Sequence, residues 1–238
     1  MRVLLRLAAT ALLVSLGAVA AYRFVDPPLT PLMVIRAVEN RAAGRRIRVV
    51  HEWVALGAVS PALVRAVLAG EDARFLLHHG VDFEAVEQAY DYNVRHRGRR
   101  LRGAGTISMQ CARNVFLWPG RTYVRKGLET YLAWLLELVW GKRRILEVYL
   151  NVVEWGDGLY GAEAASRTYF GVPASRLNAW QAALLAAALP NPSHRNPSAP
   201  SHSLRAQAAL IAARATHVYA DPLLVAVPSQ DGMKTRKY

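Results

Sequence analysis

The rest of the chain is organised around the stretch A-G-E-D-A-R-F-L-L-H-H-G-V-D, from Ala69 to Asp82. It places an acid pair, Glu71 and Asp72, at the end of an apolar run. A carboxylate at the end of an apolar helix is partly desolvated, which raises its pKa and suits it to acid–base chemistry. The same pattern also fits a solvated helix end, with Asp82 capping the next helix. Taken alone, the stretch is compatible with both.

Length, charge and cysteine content narrow the class of protein. The chain has 238 residues and a formal charge of +13, from 30 Lys and Arg against 17 Asp and Glu. This length suits one sizeable domain or two small ones. The positive charge favours a polyanionic partner such as nucleic acid, an acidic membrane face or a phosphorylated substrate. Cys111 is the single cysteine, which excludes an intrachain disulfide, and without a CxxC or HExxH motif we expect no zinc site.

The N-terminus has the pattern of an export segment. Arg2 and Arg6 precede a near-continuous apolar run from Leu7 to Tyr22. A helix needs roughly 20 apolar residues to span a bilayer, so we predict one N-terminal transmembrane helix, a signal-anchor, over residues 1–25. The positive flank predicts a cytoplasmic N-terminus and export of the rest of the chain. A cleaved signal peptide is the alternative, because Ala18-Val19-Ala20 resembles a cleavage site.

The remainder of the sequence predicts a mostly α protein. Residues 26–46 are assigned to a proline-rich juxtamembrane linker, 47–220 to one domain, and 221–238 to a C-terminal tail. Capping residues and apolar spacing of three to four predict the helices. Helices are expected to start at Ser60, Asp82, Thr106 and Asn178 and to cover 33–41, 121–140, 142–151, 156–170 and 203–219, with a short strand within 47–54.

A basic stripe on the helix predicted over 121–140 is the second candidate site. Arg121, Arg125 and Glu129 are spaced by four residues and share one face, and Lys126 lies beside it. A plain surface salt bridge between Arg125 and Glu129 is one interpretation. A phosphate grip is the other, because Arg offers a planar donor fork and Lys a point charge. Arg113, from the preceding helix, would add a further cation.

Together these features offer two carboxylates, Glu71 and Glu129, with cations near the second. Paired carboxylates make and break glycosidic bonds. A basic cluster stabilises a leaving group that departs as phosphate, which hydrolysis of a sugar chain does not require. The combination predicts sugar transfer from a diphosphate. A lysozyme-like hydrolase and a basic nucleic-acid-binding or scaffold protein are the alternatives, and the export segment and the lack of a binding motif weigh against the last.

Five segments occur in the order of the motifs of the peptidoglycan glycosyltransferases (glycosyltransferase family 51). They are G-E-D-A-R-F-L-L-H-H-G-V-D (70–82), G-A-G-T-I-S-M-Q-C-A-R-N (103–114), R-T-Y-V-R-K-G-L-E (121–129), K-R-R-I-L-E-V-Y-L-N (142–151) and G-L-Y-G-A-E-A-A-S-R-T-Y-F-G (158–171). The chain resembles this family over about residues 49–192, and with a single N-terminal anchor it is similar to its monofunctional biosynthetic members. Five ordered motifs are a specific signal, whereas any one of them would be weak.

The resemblance implies a fold, a substrate and a location. The fold would be a lysozyme-like, mostly α glycosyltransferase domain with a small mobile jaw. The enzyme would polymerise lipid II, a disaccharide-peptide on undecaprenyl diphosphate, with inversion and release of the lipid diphosphate. No cofactor is required by the motifs, although a divalent cation, Mg²⁺ or Mn²⁺, assists the diphosphate in many relatives. The partners would be lipid II, the growing glycan strand, the membrane and cell-wall synthesis or division proteins, without nucleic acid. The implied location is the periplasmic side of the bacterial inner membrane, held there by a single-pass anchor.

The resemblance also assigns roles to residues. Glu71 matches the catalytic base that takes the proton of the acceptor 4-hydroxyl, and Glu129 matches the second catalytic carboxylate, near the leaving diphosphate. The predicted substrate-binding residues are Asp72, Phe75, His78, Gln110, Arg113, Asn114, Arg121, Arg125 and Lys126. No metal ligand is assigned.

Three positions depart from the family pattern: Gly105, Met109 and Arg113, the last of which stands where a Lys is common and keeps the charge. Gly105 stands where the second motif has Ser, and Met109 where it often has Gln. We expect a weaker grip on the substrate rather than loss of activity, because both glutamates are present; a catalytically weak paralogue is the alternative. The chain has no S-x-x-K with K-T-G, so we predict no transpeptidase activity.

Overall fold

A computed structural model describes residues 2–97, 103–120 and 122–224 of the chain. Its helices are α1 (Arg2–Tyr22), α2 (Pro31–Ala42), α3 (Pro61–Glu71), α4 (Phe83–Arg95), α5 (Ile107–Phe116), α6 (Tyr123–Val139), α7 (Gly141–Val152), α8 (Ala162–Phe170), α9 (Ala179–Ala188), α10 (His202–Ala215) and α11 (Asp221–Leu224). Its strands are β1 (Val50–His51), β2 (Glu154–Gly156) and β3 (Leu159–Tyr160). The prediction of a mostly α protein is confirmed.

The predicted helix starts are confirmed by their capping hydrogen bonds. The side chains of Ser60, Asp82 and Thr106 each accept a backbone N–H from the first turn of α3, α4 and α5. Asn178 forms a reciprocal capping box with Gln181 at the start of α9. These bonds satisfy N–H groups that have no partner within the helix, so short polar side chains set where each helix begins.

The core positions the helices that carry the site. Helix α3 packs against α9 and α10, and α5 packs between α6 and α7. Helix α7 is buried over most of its length, and its Tyr149 is fully buried. The end of α3 and one face of α5 therefore meet over a rigid, apolar base.

A three-stranded sheet replaces the first part of the helix predicted over 156–170. The strand order is β1-β3-β2, with β1 parallel and β2 antiparallel to β3. Gly158 and Gly161 have φ angles of 66° and 87°, a backbone conformation that a helix does not use. The helix therefore begins only at Ala162, and the prediction for 156–161 is wrong. The strand expected within 47–54 is confirmed only as β1.

The N-terminal segment forms α1, but the transmembrane prediction is not confirmed. Within residues 2–97, 103–120 and 122–224, no helix has both the length and the apolar character needed to cross a membrane. The end of α1 packs on α6: Val19 is buried, and the Trp140 indole donates to its carbonyl oxygen at 2.7 Å. Ser15 Oγ lies 3.0 Å from Tyr131 Oη.

Helix α2 lies within the predicted linker 26–46. Its cap is Thr30, whose Oγ1 accepts the N–H of Met33 at 3.4 Å, and Met33 is fully buried. The helix packs against α5, which carries predicted site residues. The short helix predicted over 33–41 is confirmed, and the segment is part of the packed structure. In the predicted C-terminal tail, α11 is followed by residues 225–238, which lie outside the described residues.

Candidate active site

Glu71 is the last residue of α3, immediately after its buried face. Burial disfavours the ionised carboxylate and raises the pKa of Glu71 above its ordinary value. A hydrogen bond from Gln110 and the charges of Arg113 and Arg195 act in the opposite direction. Gln110 Nε2 donates to Glu71 Oε2 at 2.9 Å. The structure thus gives Glu71 a raised proton affinity and a fixed orientation.

Tyr149 holds Gln110 in place. Its hydroxyl donates to Gln110 Oε1 at 3.2 Å, so the Gln110 amide nitrogen faces Glu71. Burial raises the pKa of Tyr149 well above its ordinary value, which keeps the phenol protonated and a donor. The sequence analysis did not select Tyr149. Its signal in the sequence was a polar-tipped aromatic within the apolar second half of α7.

Asp72 joins the end of α3 to the start of α5. Its carboxylate accepts the Ile107 N–H at 2.9 Å, and His78 Nε2 lies 3.0 Å from both of its oxygens. Phe75 is 1% exposed, and the Lys142 ammonium lies 4.4 Å from its ring centroid. The described contacts of Asp72, His78 and Phe75 are with the protein itself, so their predicted substrate contacts stay predictions.

Glu129 is buried on α6 between two cations. Arg125 donates to its Oε1, and Lys126 Nζ lies 3.2 Å from its Oε2. The pKa of Lys126 is lowered by partial burial and by repulsion from Arg113 and Arg125. Arg125 and Lys126 thus bring two positive charges against the single negative charge of Glu129, and this excess favours binding of an anion. Arg121, predicted for the same stripe, lies outside the described residues.

Arg113 links the two halves of the site. It follows Gln110 by one turn of α5, and its charge acts on both Glu71 and Lys126. Burial lowers the pKa of Arg113 itself. Within residues 2–97, 103–120 and 122–224, no carboxylate lies close enough to the Arg113 guanidinium, within 4.0 Å, to form an ion pair with it. Its Nε donates one long hydrogen bond, of 3.4 Å, to Asn114 Oδ1. A largely buried cation without a counter-ion among these residues, beside a carboxylate of raised pKa, has the chemistry to bind an anion.

A cavity of about 660 Å³ opens next to these groups. Gln110, Arg113 and Asn114 form one wall, and residues of α2 and the loop 189–194 form the other. The structure therefore brings Gln110, Arg113 and Asn114 of the second motif together at one cleft. The cleft extends from Gln110, the hydrogen-bond partner of Glu71, to α2.

Glu137, on α6, is a carboxylate with a largely buried side chain that the sequence analysis did not select. Its Oε1 accepts from the Gly80 N–H at 3.1 Å, from Lys142 Nζ at 2.7 Å and from Ser108 Oγ. It thereby joins the loop before α4 to α5 and α7. The available signal was an acid in the otherwise apolar second half of α6. An acid in such a position is buried, and a buried carboxylate needs hydrogen-bond donors around it.

Residues 39–216 match the family described as Transglycosylase. The chain belongs to this family. A relative from Rhodospirillum centenum is 51% identical over 216 residues, covering 91% of this chain and 90% of the relative. One from Caulobacter vibrioides is 55% identical over 175 residues, covering 74% and 73%. Both carry the name biosynthetic peptidoglycan transglycosylase. The predicted resemblance and the enzyme class, a peptidoglycan glycosyltransferase, are confirmed.

The transglycosylase motif departs from its pattern at Gly105, which faces Lys126. Among the residues that the structure describes, a Cβ built at this position meets only the Lys126 Nζ, at 3.9 Å, which is an ordinary contact. A serine therefore fits without displacing the chain. Its hydroxyl would lie in the part of the site where the cations are concentrated.

We expect Gly105→Ser to tighten binding of lipid II, the substrate implied by the resemblance, by about two- to tenfold, because one neutral hydrogen bond contributes ~0.5–1.5 kcal/mol. The measurement is the dissociation constant of labelled lipid II. Gly103→Ser is the matched control, because a Cβ at position 103 meets no described residue within 4 Å. Equal binding by the two variants would remove the argument that the missing hydroxyl weakens the site.

The raised pKa of Glu71 predicts a pH-dependent gain in stability for Glu71→Gln. In the folded protein the carboxyl group binds its proton more tightly than the ordinary pKa of 4.5 implies, so ionisation destabilises the folded state as the pH rises through this window. The variant should have a higher free energy of unfolding than the wild type at about pH 7, and the gain should vanish below about pH 4.5. Urea denaturation at both pH values measures it, and a destabilised variant at neutral pH would contradict the assignment.

Proposed function

We propose that this transglycosylase polymerises lipid II into glycan strands and releases undecaprenyl diphosphate. The observation that carries the proposal is Arg113, a largely buried cation that lines the cavity beside Gln110, has no ion-pair partner among the described residues and acts electrostatically on both Glu71 and Lys126. Hydrolysis of a neutral glycan has no use for cations at this point. A departing diphosphate does, because negative charge grows on it in the transition state.

In the proposed step Glu71 is the general base. Its carboxylate takes the proton of the acceptor 4-hydroxyl while that oxygen attacks the anomeric carbon of the donor. The bond from this carbon to the diphosphate oxygen breaks, and its electron pair leaves with the diphosphate, so the anomeric centre is inverted. A raised pKa makes Glu71 a stronger base, and the bond from Gln110 holds it in position.

The cations receive the leaving group. Arg113 and Lys126 would bind the diphosphate oxygens, and Arg121 is proposed to join them from its motif position. Glu129 then acts as the positioning carboxylate that holds Arg125 and Lys126. Asp72, Phe75 and His78 would support the substrate site through the loop they anchor, and Asn114 would face the bound substrate in the cavity.

A divalent cation at the diphosphate was also implied by the resemblance. Across the described ranges 2–97, 103–120 and 122–224, no group of three or more His, Cys, Asp or Glu side chains is arranged to hold a metal ion. The donors around the proposed diphosphate position are mainly cationic, whereas Mg²⁺ and Mn²⁺ prefer oxygen ligands. These residues do not fit a protein-held ion, and no step here is routed through one.

The lipid substrate places the reaction at a membrane. We propose the periplasmic face of the inner membrane, with cell-wall synthesis or division proteins as partners. The single-pass anchor over 1–25 stays a prediction. Polymerisation without cross-linking is proposed because this chain contains no S-x-x-K motif.

The proposal is tested by incubating detergent-purified protein with labelled lipid II and separating the products by size. We expect a ladder of glycan polymer in the wild type and none in Glu71→Gln, with lipid II binding retained, because the variant lacks the base and keeps the cations. Glu87→Gln on the exposed face of α4 is the matched control and should polymerise normally. Polymerisation by Glu71→Gln at a near wild-type rate would overturn the role of the base.

A further inference from the structure

We propose that the end of the cavity formed by α2 is a subsite for the peptide branch of the substrate, built from Asn40, Arg45 and Arg36. This rests on the proposed function, since it takes the substrate to be a lipid-linked disaccharide that carries a peptide. All three residues line the same cavity as Gln110 and Arg113. A sugar held near Glu71 would therefore project its peptide towards α2.

A tight turn at the end of α2 brings Arg45 back beside Asn40. Gly44 has a φ of 69°, the left-handed conformation that commonly ends helices. The chain reverses there, and the Arg45 N–H donates to the Asn40 carbonyl oxygen at 2.8 Å. This one turn thus places both Asn40 and Arg45 at the cavity.

The Asn40 side chain opens into the cavity. The residue as a whole is 6% exposed, and no side-chain hydrogen bond joins its amide to any other residue in the part of the chain that the structure describes. Its amide atoms are not sealed from solvent, so they are free to pair with a ligand in the cavity. The amide lines the cavity and offers both a donor and an acceptor, which is the complement of a peptide bond.

The charges of this wall also match a peptide better than a sugar. Arg45 has no carboxylate within 4.0 Å among the described residues. Arg36 is paired with Glu39, at 2.9 Å, and its Nε lies 3.7 Å from Glu154 Oε2. Glu154 and Asp157 line the cavity with them, so the wall carries both signs of charge. N-acetylated sugars are neutral. A peptide carries carboxylates and, where it contains a diamino acid, an amine, so Arg45 is assigned to a peptide carboxylate.

Binding measurements on two substrates test the subsite. One probe is lipid II with its complete peptide, and the other is the same lipid-linked disaccharide with the peptide removed. Arg45→Gln should weaken binding of the complete substrate about tenfold, as expected for losing one charged hydrogen bond, and leave binding of the peptide-free substrate unchanged. Arg46→Gln is the matched control, because Arg46 is exposed, carries the same charge and does not line the cavity.

Equal weakening for both substrates would overturn the subsite and place Arg45 at the sugars or the diphosphate. No weakening for either would overturn it as well. Both substrates are compared by binding, so the result does not depend on turnover. Failure of the wild type to polymerise lipid II would count against the proposed function, while the difference between the two substrates would still decide the subsite.

Discussion

The site depends on the buried carboxylate of Asp72. It accepts the Ile107 N–H at the start of α5 and lies 3.0 Å from His78 Nε2. This fixes the end of α3 against the start of α5. The groups proposed to act in the reaction lie on either side of this joint: Glu71 on α3, Gln110 and Arg113 on α5. Buried carboxylates and their donors are costly to leave unpaired, so the joint holds both helices in one arrangement.

The two carboxylates of the proposed site, Glu71 and Glu129, differ because their surroundings differ. Glu71 is desolvated and receives one neutral hydrogen bond, so its pKa is raised and it suits a proton acceptor. Glu129 is buried between Arg125 and Lys126, so it serves to hold cations. Arg113 acts on both regions and connects the attacking and leaving ends of the proposed reaction. Two residues of the same type, Glu71 and Glu129, thus suit different roles because their environments differ.

Local signals predicted much of the fold, and contacts between distant residues account for what was missed. Ser60, Asp82 and Asn178 cap helices through neighbours in sequence, so their positions were predictable. Tyr149 and Glu137 act through partners far along the chain, Gln110 and Gly80, so their roles appear only in the fold. Leu159 and Tyr160 pair with β1, which is also distant in sequence, so this strand could not be predicted from neighbouring residues. The glycines at 156, 158 and 161 were a local signal against the helix predicted there. Motif order identified the family, whereas the α2 wall lay in a segment we interpreted as a linker.

The most direct test of the account is the pH dependence of polymerisation at limiting lipid II, for the wild type and Gln110→Met. The acid limb of this profile reports the pKa of the base in the free enzyme. We predict a limb above the ordinary glutamate value of 4.5 in the wild type, and a limb at still higher pH in the variant, because the bond from Gln110 lowers the pKa of Glu71. An identical acid limb in the two proteins would contradict Glu71 as the base held by Gln110.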